Sequence, residues 1–154
     1  MAALSIHPTG KHDVLDEAAL ARTLRARGQR VTSQRLVLHR VLTDLGRHVS
    51  AEEVYEAAAP LLPGLSLPTV YATLGLFEEL GLVRRLSLGG EAVLFDPRAD
   101  DHHHVSCRRC GGVEDLDVSV DDRAVLNSAG RNGFAPDRMQ VVVVGLCATC
   151  AARG

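Results

Sequence analysis

The chain has 154 residues, of which 46% are hydrophobic, and its formal net charge is −2 at pH 7. No apolar run approaches the roughly twenty residues of a membrane-spanning helix, so we expect neither a membrane protein nor a membrane partner. The first residues lack the charged start and long apolar core of a signal peptide. These features predict a cytoplasmic protein.

Positive charge is concentrated near the start of the chain. Residues 20–48 contain seven arginines and one acid, whereas the chain from residue 89 onward contains seven arginines and ten acids. The seven early arginines are Arg22, Arg25, Arg27, Arg30, Arg35, Arg40 and Arg47. Arginines on helix faces are commonly just solvated, but the scarcity of acidic neighbours favours contact with DNA phosphates. The two halves of the chain are therefore expected to have different partners.

Four helices are predicted in the first half from apolar spacing and capping residues. They begin at residue 14, after Thr32 or Ser33, at the capping box Ser50-Ala-Glu-Glu53 and at Ser66-Leu-Pro-Thr. Each ends at a glycine, namely Gly28, Gly46, Gly64 and Gly81. Glycine is the residue that most often follows a helix C-terminus, because it adopts the left-handed conformation without strain.

Two β-prone segments, residues 82–88 and 91–95, follow the helices and are joined through Gly89-Gly90, a hairpin signal. Helices closed by a hairpin predict a winged helix-turn-helix, whose last helix enters the major groove of DNA. Tyr71 lies in the first turns of that helix. It can either pack against the protein or contact a base.

Short strands and one helix are predicted after Asp96. The first strand leads into Cys107, the second covers residues 113–118 and the third covers residues 140–146. The helix covers residues 121–130. The β-branched run at 140–146 is typical of a buried or interfacial strand. A domain of this size is marginally stable alone and usually needs a metal or a dimer partner.

The predicted fold class is therefore α+β, with an N-terminal winged helix-turn-helix domain and a small C-terminal α/β dimerisation domain. We expect a flexible N-terminus at 1–13, a DNA-binding domain at 14–90, a hinge at 91–98 and a dimerisation and metal-binding domain at 99–154.

Two C-x-x-C pairs supply four thiolates, from Cys107, Cys110, Cys147 and Cys150. Paired cysteines in a cytoplasmic protein indicate a metal rather than disulfides. Each C-x-x-C turn directs both sulfurs to one ion, so the set matches a closed tetrahedral structural Zn²⁺ site. A redox dithiol or an iron–sulfur cluster is the alternative. Loss of the zinc ion is expected to unfold this half of the chain.

A second set of ligands lies just before the first cysteine pair. On an extended strand, His102 and His104 face one side and His103 faces the other. His102 and His104 can share an ion with Asp96, and such ligands suit Fe(II), Mn(II), Zn(II) or Ni(II). A solvated acidic loop is the alternative. Because Asp96 to Cys110 carries more ligands than one ion needs, we expect two metals with different roles.

Seven motifs in this order resemble those of the ferric uptake regulator (Fur) family, across residues 15–150. They are Arg30-Val-Thr-Ser-Gln-Arg35, His48-Val-Ser-Ala-Glu-Glu-Val-Tyr55, Ser66-Leu-Pro-Thr-Val-Tyr71, Gly81-Leu-Val, Phe95-Asp96, His102-x-His104-x-x-Cys107-x-x-Cys110-Gly111 and Gly145-x-Cys147-x-x-Cys150. The resemblance implies a homodimeric, metal-dependent transcription factor, usually a repressor, that binds double-stranded operator DNA. It also implies a structural zinc and a regulatory metal.

Carried over by position, the regulatory site of the family is expected at His48, Asp96, His102, His104 and Asp115. Metal binding there would be coupled reciprocally to operator binding. DNA contacts are expected from Arg22, Arg30, Arg35, Ser66, Thr69 and Tyr71.

Asp96 stands where many iron-uptake regulators have glutamate, which resembles the peroxide-responsive branch of the family. In that branch Fe(II) reacts with peroxide and oxidises ligand histidines, here His48 and His102, whereas Mn(II) supports DNA binding and resists oxidation. The alternative is homeostasis of iron, manganese, nickel or zinc without peroxide sensing.

Two departures from the family limit the resemblance. Met139 stands where many relatives have a histidine of a further metal site, so such a site at His103 or Asp122 is not implied. Ala72 and Gly75 stand where relatives often have arginine or asparagine, so no operator sequence is carried over.

Two other classes of protein are alternatives. A metalloenzyme is disfavoured because no Ser/His/Asp set, phosphate-binding glycine loop or spare nucleophilic cysteine is present, and no small-molecule substrate is expected. A zinc-stabilised protein-interaction module with merely solvated arginines is the other alternative.

Overall fold

A computed structural model of the chain describes residues 15–87 and 93–153. The described residues form two compact units, the N-terminal unit (15–87 and 93–99) and the C-terminal unit (100–153). The secondary structure is α+β, as predicted. The flexible N-terminus predicted at residues 1–13 and the Gly89-Gly90 turn lie outside the described residues.

The N-terminal unit contains four α-helices and one turn of 3-10 helix. They are α1 (Glu17–Ala26), α2 (Ser33–Leu45), α3 (Ala51–Ala58), the 3-10 turn Ala59–Leu61 and α4 (Leu67–Glu79). The starts of α2, α3 and α4 agree with the predicted caps, whereas α1 begins at Glu17 rather than at residue 14, because the Asp16 side chain caps it. The Thr32 hydroxyl accepts a hydrogen bond from the backbone N–H of Arg35, and Ser50 and Glu53 form the reciprocal capping box. Gly46, with φ of 58°, ends α2 in the left-handed conformation that glycine adopts most readily.

Apolar side chains from all four helices form the core of the N-terminal unit. The buried members are Leu20, Leu24, Leu38, Val41, Leu42, Val49, Ala51, Val54, Ala58, Leu65, Val70, Leu74, Phe77, Val83 and Phe95. Phe77 on α4 also meets the buried ring of His39 on α2 edge to face, with centroids 5.7 Å apart. Burial lowers the pKa of His39, so this ring is neutral near pH 7. Because α4 is anchored by Val70, Leu74 and Phe77, its opposite face is left exposed.

The wing consists of two short antiparallel strands, β1 (Arg84–Leu86) and β2 (Leu94–Asp96). Both are shorter than the predicted segments at 82–88 and 91–95, in part because residues 88–92 lie outside the described chain. A separate bridge pairs Val49 with Phe95, through backbone hydrogen bonds of 3.0 and 2.7 Å. This bridge fixes the loop before α3 to β2.

The C-terminal unit is built on a three-stranded sheet in the order β4-β3-β5. Its elements are β3 (His103–Cys107), β4 (Val113–Leu116), α5 (Arg123–Arg131), β5 (Val142–Gly145) and α6 (Ala148–Ala152). Strand β3 runs antiparallel to β4 and parallel to β5. The parallel pairing matches Cys107 with Gly145, so the C-x-x-C turns that follow the two strands lie at the same end of the sheet.

Apolar side chains of the C-terminal unit are largely exposed within the described chain. Its only buried hydrophobic residues there are Cys107 and Cys150. The exposed large ones are Val118, Val120, Val125, Phe134, Val143 and Val144. The β-branched strand was predicted to be buried or interfacial, and within the described chain it is not buried, since Val143 and Val144 on β5 are 50% and 62% exposed.

Within residues 15–87 and 93–153, none of the helices combines the length and apolar character needed to cross a membrane.

Candidate metal centres and DNA-binding helix

The two C-x-x-C turns bring the four cysteine sulfurs together. All four lie within 4.8 Å of one another, and the sulfurs of Cys110 and Cys147 are 3.9 Å apart. Four sulfurs bound tetrahedrally at about 2.3 Å from Zn²⁺ would lie about 3.8 Å apart. The cluster therefore has the spacing of a closed Cys₄ zinc site, and none of these cysteines forms a disulfide within the described chain.

The pKa values of two of the four thiols are shifted in opposite directions. Backbone N–H groups, first that of Cys110 and then that of Cys147, hydrogen-bond the Cys107 sulfur and lower its pKa to about 6. The neighbouring thiols, first that of Cys147, and then burial raise the pKa of Cys150 to about 12. The N–H of Cys147 donates to the Cys107 sulfur at 3.3 Å, so one turn stabilises the thiolate of the other. Four thiols this close cannot all ionise without a cation between them.

Two glycines that follow the first turn restrict substitution there, Gly111 by its backbone conformation and Gly112 by a close neighbour. Gly111 has φ of 72°, a left-handed conformation that favours glycine. A Cβ added at Gly112 would lie 3.3 Å from the Cys110 sulfur. Arg109 donates from Nη1 to the Cys150 carbonyl at 2.6 Å, and this bond ties the first turn to α6. Sequence spacing gave no sign of this contact, because the two residues are 41 positions apart.

The N-terminal unit positions His48 beside Asp96. Because Val49 and Phe95 form an antiparallel bridge, the residues on either side of them stand opposite each other. His48 Nε2 lies 3.5 Å from Asp96 Oδ2, and the side chains are 6% and 3% exposed. The backbone N–H of Arg98 donates to Asp96 Oδ1 at 2.8 Å and so fixes the carboxylate.

Arg47 holds the loop that carries His48. It donates from Nη1 to the His48 carbonyl at 3.1 Å and from Nη2 to Glu53 at 2.8 Å. Arg47 is also the main reason that the pKa of Glu53 is lowered. Since Glu53 belongs to the capping box of α3, the start of that helix and the backbone of His48 form one network. The sequence singled out Arg47 only as one of seven early arginines, whereas in the structure it holds the backbone of His48 in position.

The C-terminal unit brings His102, His104 and Asp115 together. Asp115 is paired with His104 across β3 and β4. Its Oδ1 lies 3.4 Å from His102 Nε2 and 4.0 Å from His104 Nε2. The two rings are 4.5 Å apart between centroids, and both histidines are buried. His103 is directed elsewhere, as strand alternation predicts, and its Nδ1 accepts the N–H of Val141 at 3.2 Å.

Helix α4 presents the residues predicted to contact DNA. Ser66 caps the helix and its hydroxyl lies 2.8 Å from that of Thr69. Tyr71 is 43% exposed, and its hydroxyl donates to Glu52 on α3 at 2.8 Å. This hydrogen bond raises the pKa of Tyr71 and lowers that of Glu52. The phenol is thus held outside the core at a defined position, by a carboxylate that the sequence did not single out.

The basic residues predicted to contact DNA behave differently from one another. Arg22 and Arg30 are exposed. Arg35 is half-buried and donates from Nη1 to the Arg30 carbonyl at 2.6 Å. Arg35 therefore stabilises the turn before α2 in addition to any contact with DNA.

A winged helix-turn-helix joined to a thiolate cluster and to buried imidazole–carboxylate groups defines the class of metal-dependent DNA-binding regulators. The sequence matches the ferric uptake regulator family over residues 26–144, and the chain belongs to this family. It is accordingly a metal-dependent transcriptional regulator and not an enzyme, as predicted.

Known relatives match more than four-fifths of the chain. The peroxide-responsive repressor PerR of Staphylococcus epidermidis is 30% identical over 132 residues, which are 86% of this chain and 88% of the relative. The transcriptional regulator FurA of Mycobacterium tuberculosis is 33% identical, over 85% and 89% of the two chains. The ferric uptake regulator of Pseudomonas aeruginosa, solved with manganese, superposes with a TM-score of 0.61 at 29% identity and covers 82% of this chain and 96% of that one.

Proposed function

We propose that this regulator is a repressor that binds operator DNA as a homodimer when a regulatory Fe(II) or Mn(II) is bound, and that it senses hydrogen peroxide. The observation that carries the proposal is the pair of buried ligand groups, one in each unit. His48 and Asp96 form the first, and His102, His104 and Asp115 form the second. Three imidazoles and two carboxylates are a donor set that suits Fe(II) and Mn(II).

In this proposal one ion takes ligands from both groups, so its binding restricts the two units relative to each other. His48 and Asp96 would transmit metal binding to the winged helix, because the bridge between their neighbours Val49 and Phe95 fixes both ligands in that unit. Metal binding would then raise the affinity for the operator, and operator binding would raise the affinity for the metal by the same factor. The Cys₄ cluster would keep its zinc throughout and serve structure alone.

Operator contact is assigned to the exposed side of α4 and to the nearby arginines. Tyr71 would contact base edges in the major groove, with Ser66 and Thr69 at the helix N-terminus binding phosphate. Arg22 and Arg30 would contribute phosphate contacts, and Arg35 would do so while supporting the turn before α2.

The homodimer is assigned to the exposed apolar side chains of the C-terminal unit. Val143 and Val144 lie on β5, an edge strand of the sheet, and their exposure is unfavourable unless another surface covers them. A second copy of the chain is the partner that the family favours. Val144→Asp should convert the dimer to a monomer, measured by sedimentation velocity at micromolar concentration, because a buried carboxylate at an apolar interface is strongly unfavourable. A dimer that persists in this variant would contradict the assignment.

Peroxide sensing is assigned to His48 and His102. A ferrous ion at this site would supply the redox chemistry that lets hydrogen peroxide oxidise an adjacent imidazole. The overall change is insertion of one oxygen atom into a ring C–H, with the second peroxide oxygen leaving as water. Both rings are buried beside a carboxylate, which would keep the oxidant local and exclude bulk reductants. Oxidation of a ligand histidine would weaken metal binding and release the operator.

Metal-dependent DNA binding is the first test. Fluorescence anisotropy of labelled DNA from the region upstream of the protein's own gene, with and without Mn(II), should give metal-dependent binding. His102→Ala should abolish the metal dependence, whereas His103→Ala is the matched control, since this adjacent ring is directed to the Val141 backbone. Equal binding with and without Mn(II) would overturn the repressor proposal.

Peroxide chemistry is the second test. The Fe(II)-loaded protein treated with hydrogen peroxide should gain one oxygen atom on a peptide containing His48 or His102, measured by mass spectrometry after digestion. The Mn(II)-loaded protein under the same treatment is the control and should stay unchanged. Oxygen found only at cysteines, or nowhere, would favour metal homeostasis without peroxide sensing, an alternative that the likeness to the ferric uptake regulator of Pseudomonas aeruginosa supports.

The protein is proposed to be cytoplasmic, because a regulator must have access to DNA. Its detection in the cytoplasmic fraction of the cell would support this location.

A further inference from the structure

Three consecutive histidines in the C-terminal unit have three different partners at Nδ1. His102 Nδ1 lies 2.9 Å from the Asp100 carbonyl. His103 Nδ1 lies 3.2 Å from the Val141 N–H, and His104 Nδ1 lies 2.8 Å from the side-chain amide of Gln140. Because the partner of Nδ1 decides which ring nitrogen carries the proton, it also decides which nitrogen can bind a metal.

Two of these rings have their tautomers fixed by backbone groups. A carbonyl only accepts, so His102 carries its proton on Nδ1 and offers Nε2, which faces Asp115. A backbone N–H only donates, so the Nδ1 of neutral His103 is an acceptor and its proton is on Nε2. Neither nitrogen of neutral His103 is then free to bind the regulatory metal, because Nδ1 accepts a hydrogen bond and Nε2 carries the proton.

Gln140 differs from both backbone partners because its amide can donate or accept. With the amide NH₂ toward the ring, as in this structure, His104 Nδ1 is the acceptor. With the amide turned by 180°, its oxygen would accept from Nδ1–H and leave Nε2 unprotonated. That nitrogen already lies 4.0 Å from Asp115 Oδ1. Rotation of one amide thus allows either tautomer without movement of the ring.

We propose that Gln140 is a positioning residue for the regulatory metal, which holds His104 through Nδ1 so that Nε2 is offered to the ion. The segment that carries Gln140 is well placed for this role. The His104 N–H donates to the Val141 carbonyl at 3.0 Å, and His103 accepts the N–H of the same residue. The strand pairing of His104 with Val142 continues the contact into β5. His104 itself is fully buried.

The inference rests on the proposed regulatory site, and the experiment separates the two. Mn(II) affinity of the zinc-loaded full-length protein would be measured by electron paramagnetic resonance titration, for the wild type, Gln140→Met and Gln140→Glu. Methionine has a similar length but no strong hydrogen-bonding group, so Mn(II) affinity should fall about 10- to 100-fold. Glutamate can accept from Nδ1–H, so its affinity should equal or exceed that of the wild type. Gln34→Met on α2 is the matched control and should not change affinity.

Each outcome has a distinct meaning. Wild-type affinity in Gln140→Met would overturn the role of Gln140, provided that His104→Ala abolishes binding. An equal loss in Gln140→Met and Gln140→Glu, with a lower unfolding midpoint in both, would also overturn it, because that result describes a purely structural residue. Absence of Mn(II) binding by the wild type, or unchanged binding in His104→Ala, would overturn the regulatory site and this inference together.

Discussion

The two units of the chain are stabilised in different ways. The N-terminal unit has a buried apolar core drawn from every helix, whereas the buried side chains of the C-terminal unit, among the residues described, are cysteines and histidines. Hydrophobic burial contributes about 25 cal/mol per Å² of apolar surface, and the C-terminal unit uses little of it within one chain. We therefore expect its stability to depend on bound metal and on a partner surface that covers its exposed apolar side chains.

The difference also separates structure from sensing. A unit with its own apolar core keeps its fold when a metal ion dissociates, so it can serve as a rigid DNA-binding domain. A unit whose centre consists of ligands changes its stability with metal occupancy. The regulator thus combines one part that is stabilised by its own apolar core with one part whose stability is expected to depend on metal.

Loss of one zinc ligand should have the largest effect, and this effect should be confined to the C-terminal unit. Cys107→Ser should unfold the C-terminal unit, because apparent zinc-binding free energies in small zinc-dependent domains are about 10–16 kcal/mol. Amide hydrogen exchange measured by mass spectrometry should lose protection in β3 and β5 and keep it in α2 and α4. Ser106→Ala, in the same strand, is the control. Protection retained throughout β3 in Cys107→Ser would contradict the prediction.

A cavity in the apolar core should have a smaller effect, confined to the other unit. Leu42 is fully buried on α2, so Leu42→Ala should lower the free energy of unfolding of the N-terminal unit by about 2–5 kcal/mol. Urea unfolding followed by far-ultraviolet circular dichroism measures the change. Leu61→Ala, at a site 54% exposed, is the control and should change stability by less than about 0.5 kcal/mol. A Leu42→Ala change that reduced zinc content would show that the units are not independent in stability.

Removal of the α3 cap should cost less again. Ser50→Ala removes the hydroxyl that accepts from the Glu53 N–H, at a cost of about 1 kcal/mol. The same urea unfolding experiment applies. Ser33→Ala is the matched control, because the cap of α2 is Thr32 and Ser33 is merely its first helical residue. Equal losses in the two variants would indicate that capping is not the cause.

A pH dependence of stability is expected from His39. Its pKa in the fold lies below the ordinary 6.5, so below that pH the unfolded chain binds a proton that the folded chain does not. Stability should therefore decrease as pH falls from 7.5 to 5.5, by at most about 1.4 kcal/mol per pH unit for one group. His39→Leu should show a shallower decrease in urea unfolding. Identical slopes for the two proteins would rule out His39 as the source.

Local sequence signals predicted the helices of the N-terminal unit well. Ser50 with Glu53, Thr32 and Gly46 mark helix ends through contacts within a few residues, so their positions are readable without the fold. The strands were predicted less accurately, and β5 begins at Val142, two residues after the predicted start at Gln140. Strand ends depend on hydrogen bonds to a partner strand that can be far away in the chain.

Residues of the candidate sites divide in the same way. Cysteine spacing predicted the Cys₄ cluster, and strand alternation separated His103 from His102 and His104. Contacts of Gln140, Arg109 and Glu52 were not predicted, because each joins residues at least 19 positions apart. Such contacts follow from sheet register and helix packing, which composition and spacing do not encode. The assignment of His48 came from family resemblance alone.

The parallel pairing of β3 with β5 also determines the order in which the C-terminal unit can fold. Neither C-x-x-C turn offers more than two sulfurs, and the second turn reaches the first only when β5 has docked beside β3. Parallel pairing requires a long crossover, which is a slow step compared with hairpin formation. Capture of zinc in a four-sulfur site therefore reports completion of the crossover. The rate of zinc uptake during refolding, followed by chelator competition, should therefore equal the rate at which this sheet assembles.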